Sequence, residues 1–159
     1  MIKNEKIKIE LTKEHYFALL KAVYLGNWMA NTQRDGSPED PHIQEYEEIS
    51  DYIFSLAPQF GFEKYVDHDK VDGSRYFPTR FFEEKTDVDT LHEEYDEENF
   101  WDELFYKMSD RDFFREYSEK EISKMNLHER FEKEEPFREK WDKEINDHGI
   151  ERLEIKENK

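Results

Sequence analysis

The chain has 159 residues, of which 41% are charged and 16% aromatic, and its formal net charge is −17. Disordered chains are poor in aromatic residues, so the composition predicts a single folded domain, residues 1–159, with a core of few but large rings. The acidic balance argues against direct binding of nucleic acid, which requires a basic face, and the absence of cysteine excludes disulfides and thiolate chemistry.

The first predicted element is a helix over residues 12–33. Its large apolar side chains recur at steps of three and four, which places them on one side of a helix. They are Tyr16, Leu19, Leu20, Val23, Tyr24, Trp28 and Met29. Thr12 stands where an N-cap is expected. The apolar density predicts that this helix is central and that the other elements pack around it.

Both ends of the chain show the alternation of a half-buried strand. Residues 6–11 place Ile7 and Ile9 on one face, and residues 150–155 repeat the pattern around Leu153. An isolated strand leaves its backbone donors and acceptors unpaired. We therefore expect the two termini to pair as a small antiparallel β-ribbon.

A second amphipathic helix is predicted over residues 43–56, ending before Pro58. The connection to the first helix is short, which favours an antiparallel helical hairpin. Residues 61–80 are the least regular part of the chain and permit a short hairpin with residues 64–66 and 75–77 as its arms. Because loops carry binding sites more often than helices do, a functional loop is most expected there.

The rest of the chain predicts a series of short capped helices. A Ser, Thr or Asn followed three residues later by Asp or Glu is typical of a helix start. This pattern begins at Thr86, Ser109, Ser118 and Asn126. Pro136 is expected to interrupt the last helix or to start a new one, and Gly149 to end it. The predicted fold is thus mainly α, an irregular multi-helix bundle around the N-terminal helix.

The loop that follows residue 66 contains three candidate ligands for a divalent cation, Asp67, Asp69 and Asp72. An EF-hand loop needs Gly at position six and a bidentate Glu at position twelve, and neither register of this loop supplies both. A solvated acidic turn is the competing interpretation. The sequence contains no Gly-rich phosphate loop and no nucleophile elbow, so it predicts no cofactor and assigns no catalytic residue. Acid–base carboxylates have no local signature, which leaves enzymatic activity open.

Two amides on the first helix are candidates for a binding site. Asn27 and Asn31 lie one turn apart, and a buried amide without a partner costs about 1–3 kcal/mol. The ordinary interpretation is a hydrogen bond to a neighbouring helix or to residues 61–80. The alternative is a polar pocket suited to a carboxylate or phosphate ligand. Its candidate residues are Asn27, Asn31, Arg34, Arg75, Tyr76 and Arg80.

Negative charge is concentrated in two blocks. Residues 35–60 carry seven acidic and no basic groups, and residues 81–112 carry thirteen acidic and three basic groups. Such a field attracts basic partners. The leading hypothesis is a non-enzymatic interaction or regulatory protein that binds a protein partner with a basic surface through acidic helices, with imitation of the phosphates of DNA as one form of it. The alternative is a small enzyme or ligand-binding domain whose polar pocket lies between residues 12–33 and 61–80.

No apolar run approaches the roughly 18 residues that a membrane span requires. The first ten residues also lack the apolar block of a signal peptide. The expectation is a soluble, cytoplasmic protein without a membrane partner. The sequence does not indicate an oligomeric state.

Overall fold

The computed structural model describes residues 7–69 and 75–154. In that part of the chain the helices are α1 (Lys13–Asn31), α2 (Gln44–Ser55), α3 (Arg80–Lys85), α4 (Val88–Glu116), α5 (Glu119–Ile122) and α6 (Leu127–His148). Two strands, β1 (Val66–Asp69) and β2 (Arg75–Pro78), pair as an antiparallel sheet. The prediction of a mainly α fold is confirmed.

The chain divides into two compact units, unit 1 (Met1–Glu93) and unit 2 (Glu94–Lys159). The division falls inside α4, whose first turns belong to unit 1: the ring of His92 stacks on that of Trp28, with centroids 3.9 Å apart. The expectation of a single domain stays a prediction. None of the described helices combines the length and the apolar content needed to cross a membrane.

Helices α1 and α2 form the predicted antiparallel hairpin. The hydroxyl of Tyr16, near the start of α1, donates to the carbonyl oxygen of Ile53 near the end of α2 (2.5 Å). At the opposite ends, the side-chain oxygen of Asn31 accepts from the backbone N–H of Ile43 (2.7 Å). Thr12 caps α1 as predicted, since its hydroxyl accepts from the N–H of His15.

The core of unit 1 is built largely from rings. Its buried residues are Tyr16, Leu20, Ile53, Phe54, Ala57, Phe82 and Val88. The ring of Tyr16 stacks on Phe60 at 3.9 Å, and Phe54 meets Phe82 edge-on at 5.4 Å. Helix α1 therefore supplies the centre of this core, as its apolar face predicts.

The short hairpin in the irregular segment is also confirmed. His68 pairs with Tyr76 in the register, and their rings stack at 4.4 Å. The first arm begins at Val66, two residues later than predicted. Pro78 is the last residue of β2, and Thr79 then caps α3, because proline has no N–H to continue a ladder.

The predicted ribbon between the termini is wrong for the described residues. Neither residues 7–11 nor residues 150–154 form a strand. Ile7 and Ile9 are exposed. Turns follow α6, and in them the N–H of Leu153 donates to the carbonyl oxygen of Ile150, three residues earlier (3.1 Å). Alternation produces a strand only where one face finds something to bury against. Residues 6 and 155 lie outside the described part.

The prediction of short helices is wrong for residues 88–116, which form one helix of 29 residues. Ser109 lies buried inside α4, seven residues before its end, and starts no helix. Two of the other three signals behave as predicted: Ser118 and Asn126 both form capping boxes, with Glu121 and Glu129. Thr86 instead ends α3, and its hydroxyl donates to the carbonyl oxygen of Phe82. A capping pattern marks a helix start only where the preceding residue leaves the helical conformation.

Helix α6 runs through Pro136 without interruption, so the predicted break there is wrong. Contacts on both sides of the proline stabilise the helix. Glu134 is buried and accepts a hydrogen bond from Arg138 (2.8 Å), which lies on the other side of Pro136. Trp141 is buried one turn further on. Gly149 ends α6 as predicted, with a φ of 57° that favours glycine.

In unit 2, α4 and α6 pack as an antiparallel hairpin. Trp101 lies beside Gly149, the rings of Phe113 and Phe137 are 6.0 Å apart, and Lys133 lies 4.6 Å from the ring of Tyr117. The middle of α4 thus meets the end of α6, and the residue after α4 meets the first turns of α6. The buried side chains of the described part of unit 2 are Ser109, Phe113, Glu134 and Trp141.

Candidate functional site

A cleft of about 350 Å³ opens in unit 1 between α1, α2 and β2. Asn27 reaches it from α1, while Arg75 and Tyr76 reach it from β2. These are three of the six residues that the sequence placed in a polar pocket. Helix α2 adds carboxylates that the sequence analysis did not include, namely Glu47, Glu48 and Asp51.

Asn31 lies outside the lining of the cleft and has a structural role. Its amide nitrogen donates to the side-chain oxygen of Asn27 (2.8 Å), and its oxygen accepts the N–H of Ile43 at the start of α2. The side chain is buried. This is the hydrogen bond to a neighbouring helix that the ordinary interpretation describes.

The remaining two candidates, Arg34 and Arg80, also lie outside the lining. Arg34 pairs with Asp40 (3.3 Å) and donates to the carbonyl oxygen of Ala30. Arg80 pairs with Glu84 (2.8 Å), and its side chain is 88% exposed. Both guanidinium groups are thus engaged locally and do not converge with Asn27.

The charges of the cleft favour a cation over an anion. Its single guanidinium, that of Arg75, lies 4.0 Å from Glu47, whereas three carboxylates line the walls. Asp51 accepts the backbone N–H of Tyr76. Outside the cleft, a hydrogen bond to Glu47 raises the pKa of His42. Such a surface carries a negative potential, which suits an amine or guanidinium group better than the carboxylate or phosphate considered from the sequence.

The candidate metal ligands lie at the β1–β2 hairpin. The carboxylate of Asp67 accepts the N–H of His68 (2.7 Å), and Asp69 pairs with Arg75 in the strand register. Asp72 is outside the described residues. Within residues 7–69 and 75–154, no three or more His, Asp or Glu side chains converge in a way that would hold a metal ion. A site that includes Asp72 stays a prediction.

The most exposed stretch of acidic helix is residues 93–100 of α4, here called the acidic segment. All eight residues are exposed. Five of them are carboxylates: Glu93, Glu94, Asp96, Glu97 and Glu98. Among the described residues, none of these five side chains takes part in a hydrogen bond or an ion pair. Tyr95 and Phe100 are half-exposed in the same stretch.

Carboxylates elsewhere in both acidic blocks differ, because several of them have partners; in residues 81–112, for example, Asp87 pairs with Lys21 (2.8 Å) and Glu103 with Lys107. Asp40 pairs with Arg34, Glu47 with His42 (2.8 Å), and Asp35 accepts the N–H of Ser37 (2.8 Å). The sequence identified both blocks but not this distinction. The sequence feature that could have indicated the acidic segment is the run at residues 93–99, in which Tyr95 is the only apolar or aromatic residue.

Unit 2 also contains a charge cluster that the sequence analysis missed, centred on Asp112. Its carboxylate accepts from Lys140 (2.7 Å), Trp141 (2.9 Å) and Arg111 (2.8 Å). Burial alone would raise the pKa of Asp112, but these donors outweigh it and lower the pKa to about 2. Because the partners on α6 are 28 and 29 positions away, no local pattern could reveal them. The cluster joins α4 to α6.

The chain matches no protein-family model, no curated protein and no solved structure. No relative therefore contributes a function or a site residue. The cleft and the acidic segment carry the functional interpretation.

Proposed function

We propose that this protein is a non-enzymatic interaction protein whose acidic segment binds a protein partner with a basic surface. The observation that carries the proposal is a stretch of eight exposed helical residues with five carboxylates and no cation within the described residues to neutralise them. Opposite charges attract over several ångströms in such a field. A basic partner would supply the missing countercharges.

The arrangement of these carboxylates is costly within the chain itself. Glu93 and Glu97 are four residues apart, as are Glu94 and Glu98, and like charges at this spacing destabilise a helix. The helix nevertheless continues through them. The helix already fixes the backbone that carries these carboxylates, so binding requires no ordering of the main chain. Imitation of the phosphate array of DNA is one form of this proposal.

The test compares two variants that change the net charge equally. The segment variant is Glu93→Gln, Glu94→Gln, Asp96→Asn, Glu97→Gln and Glu98→Gln. The control variant removes five exposed carboxylates from α6 and the residues after it: Glu135→Gln, Glu139→Gln, Asp147→Asn, Glu151→Gln and Glu154→Gln. Wild type and both variants serve as baits in pull-downs from the native source at low and moderate salt.

The proposal predicts a basic partner that wild type and the control variant retain and that the segment variant loses. Retention should fall steeply with salt, because exposed charges are screened within about 10 Å at 0.1 M salt. A partner retained equally by both variants would contradict the proposal. So would a partner whose retention is insensitive to salt.

A second candidate function rests on the cleft in unit 1, which would make the protein a ligand-binding domain for small cations. The cleft is large enough for an extended amine, and Asn27, Tyr76 and three carboxylates line it. Spermidine is a suitable probe, with binding followed by calorimetry. Glu48→Gln should weaken binding, while Glu45→Gln, an exposed change on the same helix outside the lining, should leave it unchanged. Equal weakening by both would indicate diffuse attraction to an acidic surface and no site.

A further inference from the structure

A groove of about 340 Å³ runs between α4 and α6 in unit 2. Three apolar side chains line it and stay open to solvent: Tyr106 is 51% exposed, Leu127 74% and Phe131 52%. Single exposed apolar residues are ordinary, but a contiguous group of them marks a surface that another molecule covers.

The charges of this groove balance, unlike those of the whole chain. Its lining contains Asp110, Arg130, Glu134 and Arg138, two of each sign. Glu134 is buried and accepts from Arg130 (2.6 Å) and Arg138 (2.8 Å). A partner of uniform charge would meet as much repulsion as attraction here, whereas a surface with both signs is complementary to a copy of itself.

The described part of unit 2 buries few apolar side chains for a unit of its size. Of its buried residues in the described part, only Phe113 and Trp141 are apolar, and the buried hydroxyl of Ser109 has no hydrogen-bond partner. Units shorter than about 70 residues usually need a disulfide, a metal or association to be stable. The chain has no cysteine, and the described residues contain no converging metal ligands.

We propose that the groove is the contact surface between two copies of this chain, whose α4–α6 hairpins form a four-helix bundle. A two-fold contact places the same patch on both sides, so the apolar residues of one groove cover those of the other and Asp110 approaches an arginine of the second copy. Helix α6, with 22 residues, is about 33 Å long. A face two helices wide then offers about 650 Å² per copy, close to the roughly 800 Å² of a standard interface.

The experiment is sedimentation equilibrium of the full chain at concentrations up to about 100 µM. Wild type is compared with Leu127→Glu and Phe131→Glu, which place charges in the groove, and with Tyr52→Glu as the control. Tyr52 is at least as exposed as Phe131 and lies on α2 of unit 1, outside the groove. All three substitutions are at exposed positions, and circular dichroism verifies that the helical content is unchanged.

The proposal predicts a dimer for wild type and for Tyr52→Glu. Each groove substitution should raise the dimer dissociation constant about tenfold or more. Added salt should strengthen the dimer, because it screens the repulsion between two chains of charge −17; binding of a basic partner to the acidic segment has the opposite salt dependence. A monomeric wild type would overturn the proposal, as would groove variants that dimerise like wild type, or a control variant that dissociates as they do.

Discussion

Unit 1 and unit 2 are built from the same charged, ring-rich composition but are held together differently. Unit 1 buries Tyr16, Phe54 and Phe82 completely, and its carboxylates stay outside the core. In unit 2 the buried set includes Glu134, and the hydrogen bonds of Asp112 join the two helices. Where several rings are buried together they exclude charge from the interior. Where few rings are buried, as in the described part of unit 2, ion pairs take part of the interior.

The part of the chain with the larger buried core is thus different from the part to which most of the proposed binding is assigned. Unit 1 exposes large apolar side chains as well, among them Met29, Ile49 and Tyr52, but it also has the larger buried core. Unit 2, whose first residues belong to the acidic segment, exposes carboxylates together with Tyr106, Leu127 and Phe131. The proposed function and the proposed dimer are therefore both assigned to the part of the chain that has the smaller buried core.

The largest effect is expected from a cavity in the core of unit 1. Phe54→Ala removes a completely buried ring that meets Phe82 edge-on, and should lower the free energy of unfolding by about 3–5 kcal/mol. Tyr52→Ala, at an exposed position on the same helix, should lower it by less than about 1 kcal/mol. Urea denaturation followed by circular dichroism measures both. Similar losses in the two variants would show that unit 1 does not depend on its buried rings.

A smaller effect is expected from the charge cluster of unit 2. Asp112→Ala leaves Lys140 and Trp141 without their acceptor and should cost about 1.5–3 kcal/mol. Asp102→Ala, an exposed carboxylate of the same helix, should cost less than about 0.5 kcal/mol. Denaturation curves of the two variants provide the comparison. A loss below that of Asp102→Ala would mean that the cluster does not stabilise the hairpin.

The same cluster predicts a pH dependence. The pKa of Asp112 is lowered to about 2 in the folded chain, so its contribution is complete above about pH 4, the range of an unfolded aspartate. It is lost as the pH falls from about 4 to about 2. Wild type should therefore lose more stability over this interval than Asp112→Asn, which cannot titrate there. Parallel stability profiles of the two proteins would contradict the assignment.

The smallest effect in this series concerns the helix caps of unit 2. Asn126 caps the 22-residue α6 through the N–H of Glu129 (3.0 Å), and Asn126→Ala should cost about 1 kcal/mol. Ser118→Ala should cost less, because α5 has only four residues and little structure depends on its start. Thermal unfolding by circular dichroism ranks the two substitutions. The reverse ranking would show that α5 matters more to unit 2 than its length indicates.

The parts of the fold that depend on residues close together in the sequence could be predicted from it. The apolar face of α1, the helical periodicity of α2 and the capping boxes at Ser118 and Asn126 are local patterns, and the structure reproduces them. The wrong predictions concern segments whose structure depends on whether their residues become buried against the rest of the fold. Ser109 has the same pattern as Ser118 but lies inside a continuous helix, and the exposed Ile7 finds no surface on which to form a strand.

The candidate site shows the same limit. The sequence suggested Asn27, Arg75 and Tyr76 together, and the structure brings them into one cleft. The sequence also offered a hydrogen bond from an amide to a neighbouring helix, but it could not identify the N–H of Ile43 as the partner of Asn31. Nor could it show which carboxylates of α2 face β2, since that depends on how the helix is rotated against the strand.

The difference between the two regions is tested most directly by native-state hydrogen exchange of the full chain, read peptide by peptide by mass spectrometry. Amides of α1 between Tyr16 and Leu20 lie against a filled core, whereas those of the acidic segment are helical with all eight side chains exposed. Exchange should be slowest in α1 and α2 and distinctly faster across residues 93–100, because local opening there exposes no buried apolar surface. Equal protection of the acidic segment and α1 would contradict the view that this helix is a bare surface available to a partner.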